Sequence, residues 1–191
     1  MSSEEPVEIV AYDRSWPMRF EAERELLHRM LATWLVGPIV HIGSTAVPGL
    51  GAKPVIDIMA GVETLESSRP AIQAAGQLGY CYAPYRPDEE HWFCKPSPFF
   101  RTHHLHLIPL GSPQWIAPIA FRDYLRAHAQ VAAEYEVLKR RLATEHHRDR
   151  EAYTQAKGPF IARITQVALA EGYGSGARGG SNEGLKRHFG V

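Results

Sequence analysis

Three short stretches carry side chains whose type and spacing could do chemistry. In "HIGSTAVPGLGAKPVIDIMAG", His41 to Gly61, a glycine and a serine turn the chain between two apolar runs, and the second run carries an acid, Asp57. A glycine at a strand end lets a ligand approach the backbone, and a following hydroxyl with the N–H groups of a first helical turn can donate to phosphate oxygens. Gly43, Ser44 and Thr45 are therefore candidate phosphate contacts, with Lys53 adding a positive charge on the far side of the turn. The loop is not of the Walker type, which needs glycine before its lysine and Ser or Thr after it, because Lys53 lies between Ala52 and Pro54.

A lone carboxylate in an apolar strand is costly to bury, so Asp57 requires a metal, lysine or histidine beside it. Lys53 is the simplest structural partner. In "THHLHLIPL", His104 and His106 fall on one strand face and Leu105 and Leu107 on the other. Asp57, His104 and His106 together would make a two-His, one-carboxylate set, suited to zinc or another transition ion better than to magnesium. Asp88, Glu89 and Glu90 could add oxygen ligands, but an acidic run beside Pro87 reads more simply as a solvated turn. Tyr153 and Lys157 stand one helical turn apart, share a face, and could close over a ligand. Arg122, Asp123 and Arg126 in "FRDYLRAH" read as a helix-surface ion network.

The elements that must position these groups follow from periodicity. Ser15-Trp16-Pro17 is a helix-start pattern, and Phe20, Leu26, Leu27, Met30, Leu31 and Leu35 continue it to a stop at Gly37-Pro38. "IVHIG" and "PVIDIMAGV" read as strands, with residues 55, 57 and 59 on one face. Residues 64 to 78 read as a helix, and "GYCYAPY", "HWFCK" and "THHLHLIPL" as three further strands. From Pro113 onward three helical segments follow, the second with Val131, Tyr135, Leu138 and Leu142 at helical spacing. A sheet half (about 1–111) followed by a helical half (about 112–172) is an α+β pattern, with the helices expected on one side of the sheet. Residues 173–191 are glycine-rich and polar, as expected of a flexible tail.

The 191 residues carry 21 Lys plus Arg and 21 Asp plus Glu. With no net charge, broad nucleic-acid binding is disfavoured. Cys81 and Cys94 lack zinc-type spacing and are read as reduced thiols. The acidic N-terminal stretch is unlike a secretory or transit peptide, and no apolar run approaches a membrane span, so a cytoplasmic location is expected.

Several stretches taken together, "YDRSWPMRFEAE", "HIGSTAVPGLGAKPVIDIMAGV", "HHLHLIP", "FRDYLRAH" and "AYTQAKGPFI", resemble the GrpB family within the nucleotidyltransferase superfamily, from about Tyr12 to about Ala170. The resemblance implies a nucleotidyltransferase-like mixed β-sheet with flanking helices. It implies that Gly43 and Ser44 hold phosphates, that Asp57 binds a divalent metal (magnesium, manganese or zinc), and that His104 and His106 lie on the central strand. The ligand it implies is a nucleotide or phosphorylated small molecule, with a link to coenzyme A metabolism. Active members of the superfamily carry two acids at i and i+2 on the second strand. Here position 55 is valine, so a two-metal site lacks one of its acids.

Overall fold

The computed structural model describes residues 6–174. Helix α1 (Trp16–Leu31) opens the fold, and its first turn holds Pro17 as expected. Ser15 makes no side-chain capping bond; its own N–H goes to Asp13 Oδ1 at 2.7 Å instead. The helix ends earlier than the periodicity indicates, passing through a single 3-10 turn at Ala32–Trp34 into strand β1 (Leu35–Ile42). Gly37 and Pro38 therefore lie inside a strand rather than at a helix stop. Pairing of β1 with its neighbour is irregular between Leu35 and Ile39, which is how an edge strand accommodates a proline without a backbone donor.

The remaining elements are β2 (Ile56–Val62), α2 (Pro70–Gln77), β3 (Cys81–Tyr82), β4 (His91–Pro96), β5 (Arg101–Pro109), α3 (Pro113–Ala127), α4 (Ala129–Glu145), α5 (Arg150–Ala156) and α6 (Gly158–Ala170). Residues 64–69, expected as helix, are turns, because Ser67 and Ser68 bond back to Thr64 and leave Pro70 to start α2. The expected third strand shrinks to two residues. Ser112 caps α3 by accepting from the Trp115 N–H at 3.2 Å, and Asp149 caps α5 by accepting from the Ala152 N–H at 2.9 Å.

The strands form one mixed sheet in the order β1-β2-β5-β4-β3, with β2 and β5 parallel and the other pairs antiparallel. β5 is thus the central strand. On one face Ile56, Ile58, Ala60, Leu105, Leu107 and Phe93 pack against Trp16, Phe20, Leu27 and Leu31 of α1 and the alanines of α2. On the other, Ile42, Met59 and Ile108 receive Trp115 of α3. Helices therefore cover both faces, correcting the one-sided packing expected from the sequence.

The helical half has its own apolar cluster, in which Tyr124, Leu125, Tyr135, Ile164 and Ala168 pack together with Val47 and Leu50 from the turn before β2. That contact fastens the helical half to the loop carrying Ser44. Tyr173 packs on Tyr124 with ring centroids 5.4 Å apart, so the fold extends past residue 172. The rest of the expected tail, 175–191, lies outside the described residues.

Candidate functional site

Alternation along β2 and β5 decides which side chains share the site. Asp57 pairs with His104 and Met59 with His106 across the parallel ladder, so Asp57, His104 and His106 emerge on the α3 side of the sheet. Asp57 Oδ1 accepts from His104 Nδ1 at 2.8 Å. His106 Nδ1 meets Glu90 Oε2 at 2.5 Å. Each imidazole thus has Nδ1 held by a carboxylate, which orients the ring. The Nε2 of His104 is buried without a hydrogen-bond partner.

Burial pushes Asp57 upward, but the His104 hydrogen bond and the nearby positive charges outweigh it and hold its carboxyl below the ordinary range. His104 is driven below its usual value by burial, against the opposing pull of Asp57. Burial acts the same way on His106, yet the Glu90 carboxylate reverses it and raises this group above its usual value. Glu90 is buried, whereas Asp88 stays exposed and Glu89 pairs with Arg86 on the surface. The acidic run is therefore not wholly the solvated turn that its composition suggests. Its last member enters the site because the turn ends there and β4 begins at His91.

Gly43 answers to a specific steric demand. Its φ of 72° and ψ of −173° lie where only glycine is comfortable, and a methyl group there would stand 3.0 Å from Asp57 Cγ and collide with Oδ2. Ser44 is half-buried, beside the Tyr135 hydroxyl. Thr45 lines the cavity, but its hydroxyl is already engaged with His41 Nε2 at 2.9 Å and the Val55 carbonyl at 3.1 Å. Behind the turn, Arg122 donates to the His41 carbonyl at 2.8 Å, and Arg126 donates from two nitrogens to the Ala46 carbonyl at 2.9 and 2.7 Å. The ion network with Asp123 expected from the sequence exists, and it also clamps the Gly-Ser turn from outside. These arginines line a second, shallower hollow, away from Asp57.

Above the central strand lies a cavity of about 720 Å³, within the size range of small-molecule sites. Its walls bring together Ser44, Thr45, Lys53, Asp57, His104, His106, Tyr153 and Lys157, so of the candidate residues only Gly43 is not itself a wall. Val55 is also a wall residue, apolar where the superfamily resemblance puts an acid. Lys53 does not pair with Asp57. It sits 5.9 Å from the Tyr153 ring centroid, and Lys157 sits over the same ring at 4.3 Å. Tyr153 and Lys157 meet as expected, but not on one helix: α5 ends at Ala156 and Gly158-Pro159 starts α6.

Sequence reasoning named Glu90 only as a possible oxygen ligand and favoured a solvated turn, and it did not single out Trp92, Arg101, Arg148, Arg150 or Lys139, all in the same walls. Lys139 was legible in principle. It falls four residues after Tyr135 and three before Leu142, on the apolar stripe of α4, where a lysine needs a reason to be. It is only 2% exposed, donates to the Gly51 carbonyl, and stands 4.8 Å from the Tyr135 ring centroid. Burial and neighbouring Lys157 bring Lys139 down to about 7, while burial brings Lys53 and Lys157 each down to about 8.

Seven Lys or Arg and four Asp or Glu line this cavity, an excess of positive charge inside a chain whose total is zero. Two of those carboxylates face imidazoles, and among the described residues none of the three lysines forms an ion pair with a carboxylate. The donors do not converge as a metal centre. Among the described residues no group of three or more His, Cys, Asp or Glu is arranged to hold an ion, because Asp57 and Glu90 each meet a histidine Nδ1 directly.

A mixed five-stranded sheet between helices, with a cationic cleft over its central strand, defines an α+β protein consistent with a nucleotidyltransferase-like fold. The GrpB protein family matches residues 6–167, and the chain belongs to that family. The crystal structure of conserved protein GrpB from Enterococcus faecalis superposes with a TM-score of 0.78 at 32% identity, covering 86% of this chain and 98% of that one. A UPF0157 protein of Pseudomonas aeruginosa is 38% identical over 173 residues, 88% of this chain and 70% of that protein. More distantly, a dephospho-CoA kinase of Mycolicibacterium paratuberculosis is 26% identical over 189 residues, 82% of this chain and 44% of the kinase. Among the described residues no helix is long and apolar enough to cross a membrane.

Proposed function

We propose that this chain binds a nucleotide or a related phosphorylated metabolite in the cleft between the central strand and helices α4 and α5. The observation that carries the reading is the set of three desolvated lysines, Lys53, Lys139 and Lys157, collected on one cavity without carboxylate partners. Buried positive charge of this kind is costly, and an entering anion removes the cost. The Ser44 hydroxyl lies beside the same wall and supplies a neutral donor. The distant kinase relative supports a ligand from nucleotide or coenzyme A chemistry.

A second reading, transfer of a nucleotidyl group to a hydroxyl acceptor, is favoured by the two carboxylate-held imidazoles beside that wall. Here the lysines hold the phosphates, Asp57 and Glu90 fix the rings of His104 and His106, and the rings handle protons. Val55 removes one acid that the resemblance places beside a divalent ion, and Asp57 and Glu90 face histidines.

The test is a thermal-shift panel of nucleotides and coenzyme A precursors, each with magnesium, manganese, zinc or a chelator, on wild type, Asp57→Ala and Lys157→Met. A ligand at a hundred times its dissociation constant adds about 2.7 kcal/mol of stability. In a chain of this size that raises Tm by roughly 5–10 °C. Loss of the shift in Lys157→Met places the anion on the lysine wall. A flat panel for wild type refutes the ligand-binding reading. Turnover of a bound nucleotide, followed by chromatography, separates transfer from binding alone.

A further inference from the structure

The three lysines are not equivalent. Lys53 and Lys157 share the ring of Tyr153, at 5.9 and 4.3 Å from its centroid. Lys139 stands on a different ring, Tyr135, at 4.8 Å, and that tyrosine's hydroxyl lies beside Ser44. Lys139 and Lys157 line the same cavity, close enough for their charges to repel. The cavity wall therefore offers two adjacent cationic stations, one of two lysines and one of a lysine with a serine.

A single phosphate group can occupy only one station and leaves the other's donors without a ligand. Two linked phosphate groups can reach both. We infer that the cleft takes a ligand with two adjacent phosphate groups, one held by Lys53 and Lys157 and the other by Lys139 with Ser44. This rests on the phosphate-binding reading above and adds to it a ligand class, a diphosphate, and a binding residue, Lys139.

Lys139 keeps unused donors for this role, since an ammonium has three N–H groups and Gly51 occupies one. Glu136, on the same helix, does not neutralise it: its carboxylate bonds the Gly51 N–H at 2.7 Å and pairs with Arg140 at 2.7 Å. The charges facing Lys139 are Lys157, Glu136 and Arg140, and those facing Lys53 are Arg150, Lys157, Asp57 and Arg101. The only carboxylates in the two sets are already bonded elsewhere.

The experiment is calorimetric titration of the full chain with inorganic phosphate and with pyrophosphate at pH 8, on wild type and Lys139→Met. Wild type is expected to bind pyrophosphate at least tenfold more tightly than phosphate. Lys139→Met is expected to bring the ratio to within about twofold while phosphate still binds. Equal affinity of wild type for the two anions, or an unchanged ratio in the variant, overturns the two-station inference and leaves anion binding intact. Failure of both anions to bind overturns this inference together with the reading beneath it.

Should Lys139→Met not fold, Ser44→Ala decides, since Ser44 belongs to the same station and lines the same cavity. It should lower the preference for pyrophosphate over phosphate several-fold while phosphate still binds at Lys53 and Lys157. An unchanged preference in a folded Ser44→Ala overturns the two-station assignment.

Discussion

Replacing Gly43 with alanine tests the tightest steric relation in the site. Two separate penalties are expected. The first is conformational: φ 72° with ψ −173° is a region almost closed to side-chain-bearing residues, at about 1–3 kcal/mol. The second is a collision, because the new methyl group would lie 3.0 Å from Asp57 Cγ and closer still to Oδ2. Forcing that carboxylate aside breaks its 2.8 Å bond to His104, and overpacking of this kind costs about 1–3 kcal/mol. Together the loss is about 2–6 kcal/mol, lowering Tm by roughly 5–20 °C. The two parts separate in a double-mutant cycle read by urea unfolding. Asp57→Ala removes Cγ and both oxygens, so Gly43→Ala on that background should be milder by about 1–2 kcal/mol, while the backbone penalty persists. Strict additivity of the two substitutions would refute the claim that Gly43 is glycine to make room for Asp57.

Four further outcomes follow from the site's electrostatics and hydrogen bonding. Buried His41, stacked on Phe20, is pushed down to about 4 by desolvation, so the unfolded chain binds its proton more readily than the fold does. Its contribution is complete above pH 6.5 and disappears as pH falls toward 4, at a cost of about 3 kcal/mol that unfolding at stepped pH will measure and that His41→Gln should flatten. On the alkaline side, the folded state holds Lys53, Lys139 and Lys157 at values below those of free lysine, so the ligand-free protein should gain stability from pH 7 to pH 9. A flat profile there would show that the lysines are well solvated. Glu90→Gln removes the negative charge that raises His106, and the NMR titration of that ring should move to lower pH with the His104 titration little changed. Arg126→Lys cannot reproduce the two-pronged hold on the Ala46 carbonyl, and should lower stability by about 1–2 kcal/mol and loosen anion binding at the turn.

The amino-acid order alone determined the local geometry of this site. Strict alternation places Asp57 on one face of β2 and His104 with His106 on one face of β5, because a pleated strand leaves no other choice. The Gly-Ser corner was legible from the two β-branched runs it separates, and the helical second half from its 3.6-residue stripe. The GSTAVPGL wording was long enough to identify the family. What the order could not show was anything that depends on which elements become neighbours. That β5 inserts beside β2 in parallel, bringing Asp57 opposite His104, is a choice of topology across 47 residues of chain. Glu90 looked like any solvated acid because its partner, His106, is brought to it only by the β4–β5 pairing. The boundary at Gly37-Pro38 was misread because proline ends a helix and also tolerates an edge strand, and only the sheet decides between them. Lys139 carried a clue in its place on an apolar stripe, yet its role depends on the turn at Gly51 closing over α4. Net charge hid the cationic cleft most completely, since a sum over the chain is blind to where folding concentrates the charges, and that concentration exists only in three dimensions.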